Sequence, residues 1–349
     1  MSATGQTRRV YSWSDDLELI PQRDIWVDAF DRFKENRAAL ISLGFIIFML
    51  LVSIFGPMIS PYDYREQDLL NVAQPPSWEH WFGTDSLGRD YLTRIMMGGR
   101  TAFFVAFFVV TITTVLGVAI GAASAFFGGW VDIAIMRITD TIMSFPHLLL
   151  AAFVVGMVRN PVVDFLSQYQ FLRDLALIDY IIVFGALSLV GWAGKARLIR
   201  GQVLSLMKRE FIEAERAIGA PWYLIIRDHL VPNAMGPIIV AVSAQFGANM
   251  LAEASLSFLG IGIRPPGASW GNMIYENLIT WRYQPHLLAM PGIVLALMVL
   301  AFNFLGDGVN DALNPRQRRR WTPGEAAELS ANVNAPVAAS AAAPGGRAG

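Results

Sequence analysis

Few residues of this chain have the types and spacing that catalysis would require. Gly194 and Lys195 resemble the end of a phosphate-binding loop, but Ala196 stands where that loop needs serine or threonine, so the motif is absent. The histidines lack the spacing of a zinc site and occur singly: His80, His147, His229 and His286. Because the chain has no cysteine, thiolate metal sites and disulfides are excluded as well. The sequence therefore predicts no catalytic residue, no metal site and no cofactor bound by this chain.

One carboxylate interrupts a long hydrophobic stretch. Glu253 follows Asn249 by four residues, so on a helix the two side chains share a face. At about 1.5 Å per residue, Glu253 lies about 27 Å along a helix counted from Met235, near one boundary of the hydrocarbon core. Ionisable residues inside membrane segments are candidates for transport pathways or buried pairs. Asn249 and Glu253 are therefore candidates for a translocation pathway, while a cap or packing pair for Glu253 is an equal alternative.

Composition indicates the elements that must position these residues. The chain has 349 residues, of which 54% are hydrophobic and 16% charged, whereas soluble domains carry about 25% charged residues. A membrane-spanning helix needs about 20 apolar residues. Stretches near that length are 38–59, 101–127, 138–158, 180–196, 235–260 and 287–306. Pro146 predicts a kink in the third stretch. We expect an all-α integral membrane protein with six spans.

The distribution of Lys and Arg predicts the orientation of these spans. Both are concentrated in the amino-terminal segment, in the loop 195–227 and in the carboxyl-terminal segment. Since positive residues accumulate on the cytoplasmic side, both termini and that loop should be cytoplasmic. The predicted regions are a cytoplasmic segment 1–37, a first span with its outer loop at 38–100, a transmembrane domain at 101–306 and a cytoplasmic tail at 307–349. The tail should be disordered after about residue 321.

The segment 205–233 combines charge with more apolar surface than a solvated loop would keep. Gly219 suits the left-handed residue just past a helix end, and Pro221 suits the first turn of a new helix. Pro232 is expected to close that second helix. The result is a helix, a sharp turn and a second helix outside the bilayer, which indicates a docking surface for another protein.

This segment resembles the EAA loop of ABC importer permeases, in which a short coupling helix docks into an ATPase subunit. The resemblance rests on the letters EAERAIG at 213–219, followed by Leu230 and Pro232. The chain departs from the family pattern at Glu215, usually a second alanine, and at Val231, usually leucine. The resemblance implies that coupling to the ATPase involves Glu213, Ala214, Ala217, Ile218, Gly219, Leu230 and Pro232.

The stretch between the first two spans indicates which branch of this family the chain resembles. Residues 80–100 read HWFGTDSLGRDYLTRIMMGGR and resemble the C-type subunit of the peptide and nickel branch, as does LAEASLSFLGIG at 251–262. Gly83 and Gly88 permit turns in this stretch. Residues 90–97 are expected to form a short helix at the outer interface that leads into the second span.

The resemblance implies a type I ABC importer permease that moves short peptides across the cytoplasmic membrane of a prokaryote, with nickel chelates and glutathione as alternative cargoes. Its implied partners are a homologous second permease, two ATPase subunits that bind ATP and magnesium, an external substrate-binding protein and the lipid bilayer, with no nucleic acid. Two other classes fit the sequence less well. A proton-coupled secondary carrier would need several buried relay residues, of which only Glu253 is a candidate, and a membrane-embedded enzyme would need a converging catalytic set.

Overall fold

The computed structural model describes residues 25–174 and 177–313. These residues form helices and loops, with one isolated bridge between Thr84 and Asp90 and no β-sheet within the described ranges. The beginning of the predicted segment 1–37 and the tail beyond residue 313, including the disorder expected there, lie outside the described residues.

The helices follow the hydrophobic runs of the sequence. In chain order they are α1 (Ile25–Glu35), α2 (Arg37–Ile59), α3 (Tyr91–Phe127), α4 (Gly129–Met143), α5 (His147–Leu166), α6 (Gln170–Asp174), α7 (Ile178–Leu206), α8 (Glu210–Ala217), α9 (Trp222–Leu224), a π turn (Ile225–Leu230), α10 (Val231–Phe258), α11 (Trp270–Glu276) and α12 (Pro285–Leu313). Six segments are long and apolar enough to cross a membrane: α2, α3, α5, α7, the continuous run Trp222–Phe258 and α12. The prediction of an all-α protein with six spans is confirmed.

The second span is longer than the sequence predicted. Residues 91–97 are helical as expected, but they are the first turns of the continuous α3 and not a short helix of their own. Asp90 caps α3, since its carboxylate accepts a backbone N–H of the first turn at 2.8 Å. Gly98 does not interrupt the helix; a Cβ there would lie 2.7 Å from the Trp270 ring, so the glycine makes room for that side chain.

The predicted third span, 138–158 with a kink at Pro146, is wrong. α4 ends before Pro146, and α5 begins directly after it as the actual span. Pro146 has an extended backbone (φ −58°, ψ 121°), and at this position its missing N–H leaves no helical hydrogen bond unmade. The break is not evident in the sequence because no Asp, Glu, Lys or Arg stands between Asp140 and Arg159 to separate the two helices.

The fourth and sixth spans extend beyond their predicted ends. α7 continues ten residues past Ala196, so Lys195 is not a loop residue; it lies within α7 and is buried against α3. α12 continues past Gly306 to the end of the described residues. The loop between the fourth and fifth spans is therefore shorter and more structured than the predicted 195–227.

Three clusters of buried apolar side chains hold the bundle together, and α3 contributes to all of them. The first joins α3 to α2, α10, α11 and α12 around Trp270 and Met273. The second joins α3 to α5, α7 and α10 around Leu187. The third joins α3 and α7 to the segment between α7 and α10 around Ile212 and Leu230. α3 is therefore the central helix of the bundle.

A short helix after the fifth span, α11, inserts into one end of this bundle, which we call the loop end. Trp270 and Met273 of α11 are fully buried, and the Trp270 indole N–H donates a hydrogen bond to the Ile95 carbonyl of α3 at 2.9 Å. Gly271 allows α11 to approach α10 closely, since a Cβ there would lie 1.8 Å from the Ala254 carbonyl oxygen. α11 therefore closes the loop end by direct backbone packing.

Gly271→Ala should destabilise the protein without preventing membrane insertion. The added methyl group meets backbone rather than a flexible side chain, so α10 and α11 must separate, at a cost of about 1–3 kcal/mol. The midpoint of thermal unfolding in detergent measures this loss. Gly44→Ala is the matched control because nothing lies within 4 Å of its Cβ position. Equal midpoints for the two variants would contradict the close contact.

Buried charges connect the loop between the first two spans to α11. The carboxylate of Asp85, 1% exposed, accepts hydrogen bonds from Arg89 and Arg94, and both arginines also donate to Glu276 on α11. Burial raises the pKa of Asp85, but the charges of Arg94 and Arg89 outweigh burial, so this pKa lies below its usual value. Gly88, at φ +74°, makes one of the predicted turns that place Asp85 here.

Candidate functional site

Residues 207–230 form a helical hairpin at the end of the bundle opposite α11, and we call it the hairpin. α8 is its first arm, and its second arm begins at Trp222. Gly219, at φ +77°, turns the chain between them as predicted. Its N–H and that of the next residue donate to the carbonyls of Arg216 and Glu215 at 3.1 and 3.0 Å. α8 therefore ends in a Schellman motif, a turn that favours glycine at this position.

Apolar side chains anchor the hairpin to the bundle. Ile212 of α8 and Ile225 and Leu230 of the second arm are fully buried. They pack in one cluster with small and branched residues of α3 and α7: Ala122, Ala125, Ile199 and Val203. Since packed side chains transmit displacement rather than absorb it, a force on the hairpin reaches the ends of both spans.

Polar contacts join α8 to the second arm of the hairpin and to α3. His229 Nε2 of the second arm lies 3.3 Å from Glu215 Oε1 of α8. The guanidinium of Arg216 lies 5.2 Å from the centre of the Phe126 ring of α3, a distance at which a cation and an aromatic ring attract. Both contacts direct charged side chains of α8 towards the protein.

The second arm does not end at Pro232, so that prediction is wrong. The helix continues through Trp222–Phe258, with the π turn just before the proline. In the π turn the Val231 N–H pairs with the Ile226 carbonyl, five residues back. This shift of hydrogen-bond register comes directly before Pro232, which has no N–H to donate. The hairpin and the fifth span are therefore one continuous helix.

The residues predicted to contact an ATPase divide into exposed and buried sets. Exposed on α8 and at the turn are Glu213, Ala214, Ala217, Ile218 and Gly219. Pro232 is also exposed, whereas Leu230 is buried and packs inward. Trp222 and Tyr223 add half-exposed aromatic surface beside the turn. Exposed apolar area of this kind marks a site for a partner protein.

A cavity of about 490 Å³ opens between α3, α4, α5, α7 and α10. Its polar lining consists of Thr113, His147, Gln245 and Asn249, and no Asp, Glu, Lys or Arg of the described chain lines it. A Cβ at Gly191 of α7 would lie 3.1 Å from the Thr113 side chain. The structure thus places the predicted pathway residue Asn249 on a cavity with hydrogen-bonding side chains.

Glu253 lies elsewhere, and the structure does not bring it into one site with Asn249. It is 1% exposed and is not among the residues that line the cavity. Its Oε1 accepts hydrogen bonds from the hydroxyls of Ser257 and Ser269, each at 2.7 Å. Because Ser269 directly precedes α11, Glu253 ties α10 to the loop end.

Sequence reasoning missed the ion pairs that join α4 to α7. Asp132 accepts hydrogen bonds from Arg200 Nε and Nη2 at 2.5 and 2.6 Å and from the Ser124 hydroxyl at 2.6 Å. Asp140 pairs with Arg197. The acidic residues stand two helical turns apart on α4 and the arginines three residues apart on α7, but nothing in the sequence indicated that these two helices are neighbours.

Spans that surround a cavity with hydrogen-bonding side chains, together with an anchored hairpin outside them, define a membrane transport subunit. Comparison with known protein families supports this class. Residues 113–319 match the family described as binding-protein-dependent transport system inner membrane component. Residues 25–76 match the N-terminal TM domain of oligopeptide transport permease C. The chain belongs to this family of ABC transporter permeases and is a transport subunit rather than an enzyme.

Similar proteins cover nearly the whole chain. The oligopeptide transport system permease protein OppC of Bacillus subtilis is 36% identical over 87% of this chain and 94% of its own length. The dipeptide permease DppC of the same organism is 38% identical over 84% and 86%, and the glutathione permease GsiD of Escherichia coli is 35% identical over 84% and 91%. A solved structure of the MetNI methionine ABC transporter has 17% identity and a TM-score of 0.44, over 62% of this chain and 96% of that one.

Proposed function

We propose that this chain is the C-type permease subunit of an ATP-driven importer of short peptides. The observation that carries the proposal is the hairpin, which exposes Glu213 and Ile218 to a partner while it is packed into the ends of α3 and α7. Relatives of similar length are permeases for oligopeptides, dipeptides and glutathione. Glutathione is itself a small peptide, so the cargo in the names of all three relatives is a peptide. Nothing in the described residues favours a nickel chelate.

The family to which the chain belongs suggests its partners. A homologous second permease would complete the translocation pathway beside the cavity. Two ATPase subunits would supply ATP and magnesium binding and dock on the hairpins, and an external substrate-binding protein would deliver the cargo at the loop end. Asn249 would then line the translocation pathway, while Glu253 would act from behind it by holding α11 in place.

Docking would use the exposed residues of the hairpin. Glu213, Ala214, Ala217 and Ile218 would contact the ATPase, and Gly219 would set the angle between the arms. Leu230 would contribute as an anchor within the bundle, and Pro232 would act through the π turn beside it. Because the second arm is continuous with the fifth span, movement of the ATPases would tilt that span directly.

The transporter is expected in the cytoplasmic membrane of a prokaryote with both termini and the hairpin inside. The chain has no native cysteine, so single cysteines report topology cleanly. Thiols at the exposed positions Ser77 and Gln168 should react with an impermeant maleimide added outside intact cells, and one at Ser205 should react only after permeabilisation. The reverse pattern would invert the orientation. Ser269 is unsuitable as a probe because it is fully buried.

The function is tested by expressing the chain with its neighbouring subunits and purifying it through a tag on this chain. ATPase subunits should co-purify in stoichiometric amounts. In proteoliposomes, the complex and its binding protein should take up a labelled tripeptide only when ATP is present. Uptake driven by a proton gradient without ATP would instead identify a secondary carrier.

A further inference from the structure

A buried lysine stands directly behind the wall of the cavity. Lys195 of α7 is 3% exposed. Its Nζ donates to the Val110 carbonyl at 3.1 Å, to Thr113 Oγ1 at 2.6 Å and to Thr114 Oγ1 at 2.8 Å. Thr113 lines the cavity, and so does Gly191, one helical turn before Lys195. One hydrogen bond therefore separates the amino group from the cavity wall.

The hydrogen-bond pattern around this amino group is that of an ammonium ion. The Thr113 hydroxyl already donates its proton to the Val109 carbonyl at 2.6 Å, and the Thr114 hydroxyl donates to the Val110 carbonyl at 2.6 Å. A hydroxyl has a single proton, so both threonines can only accept from Lys195. Three acceptors around Nζ match the three N–H groups of an ammonium ion, whereas a neutral amine has only two. Lys195 is therefore a cation.

No carboxylate of the described residues neutralises this cation. On α4, Asp132 and Asp140 are paired with the arginines of α7 near the hairpin end. On α10, Glu253 is held by serine hydroxyls. Charges inside membrane segments are costly and are retained where they serve the transported solute or a partner. Because the surroundings are poorly polarisable, the field of an unneutralised charge extends into the adjacent cavity.

We propose that Lys195 gives the cavity a positive potential and thereby favours solutes that carry a carboxylate, such as the carboxyl terminus of a peptide. The identity of the cavity as a pathway rests on the proposed function. Lys195 does not line the cavity, so it is a positioning residue that acts through its field and through Thr113. No carboxylate of the described residues lines the cavity, so its lining, which includes Gln245 and Asn249, does not oppose this potential.

The potential can be measured without any assumption about the cargo. Ala248→Cys places a thiol in the cavity wall of a chain that has no native cysteine. In the purified complex, this thiol is modified by an anionic (ethylsulfonate) or a cationic (ethyltrimethylammonium) methanethiosulfonate, and the two rate constants are compared. Mass spectrometry of a digest of the chain confirms that the modified residue is the introduced cysteine. The anionic-to-cationic ratio should exceed that of a small thiol in solution by about fivefold or more.

Lys195→Met should remove this excess, because methionine keeps much of the side-chain volume and lacks the charge. Lys34→Met is the matched control, since it removes a lysine from the surface of α1 and should leave the ratio unchanged. A ratio equal to the solution value while Lys195 is present overturns the proposal and needs no variant at this position. An unchanged ratio in an assembled Lys195→Met complex overturns it as well.

A transport measurement is the second test of this proposal. Uptake of trialanine is compared with uptake of trialanine amide in proteoliposomes, and Lys195→Met should lower the acid-to-amide ratio by about fivefold relative to the unmodified complex. A ratio that does not change contradicts the preference for a carboxylate. If neither peptide is taken up with ATP and binding protein, the peptide function fails, while the thiol measurement still decides the potential.

Discussion

Gly219→Val should lower substrate-stimulated ATP hydrolysis by the assembled transporter more than about tenfold, while the permease still inserts and folds. Gly219 has a φ of +77°, a conformation that costs non-glycine residues about 1–2 kcal/mol and is worst for β-branched side chains. Nothing lies within 4 Å of its Cβ position, so the effect is conformational and not a collision. The turn would open, and α8 would leave the angle at which it meets a partner.

Gly219→Asn is the matched control for this prediction. Asparagine adopts the left-handed conformation far more readily than valine. This variant should therefore keep most of the stimulated hydrolysis, although it too adds a side chain where the unmodified protein has none. Hydrolysis is measured in proteoliposomes with and without binding protein and peptide, and insertion by the amount of complex recovered. Normal stimulation in Gly219→Val would show that coupling does not depend on this turn.

The spans could be predicted because apolar length dictates them, and the errors arise where local hydropathy carries no information. No Asp, Glu, Lys or Arg stands between Asp140 and Arg159, so only the backbone reveals that Pro146 separates two helices. A proline suggested the end of a helix at Pro232, but the π turn accommodates it. Gly98 makes room for Trp270, a partner that is far away in sequence and that local hydropathy does not identify.

The candidate site, like the spans, was predicted in part. The turn at Gly219 follows from local chemistry and was predicted. The burial of Leu230 and the separation of Asn249 from Glu253 depend on which helices are neighbours, and helix periodicity does not specify this. Lys195 is the clearest case: its charge suggested a loop, whereas two threonines of α3 make its burial possible.

Glu213 is the residue at which docking and ordinary surface chemistry predict different results. On its own helix it could pair with Arg209 or Arg216, and loss of such exposed pairs would cost only about 0.3–0.5 kcal/mol each. In the structure, Glu213 is exposed and forms no ion pair with another described residue, while Arg216 lies over the Phe126 ring. Its carboxylate is therefore available to a partner.

Glu213→Ala should weaken the association of the permease with its ATPase subunits at least tenfold. A carboxylate that becomes partly desolvated against a basic group of the partner typically contributes about 2–5 kcal/mol when one side is truncated, and tenfold corresponds to about 1.4 kcal/mol. Glu210→Ala is the matched control, because it removes the same charge from the first turn of the same helix at another exposed position. Affinity is measured by titrating detergent-solubilised permease with labelled ATPase subunits. If both variants bind as the unmodified chain does, Glu213 is a solvated helix residue, and the docking contact must come from Ile218, Trp222 and their apolar neighbours.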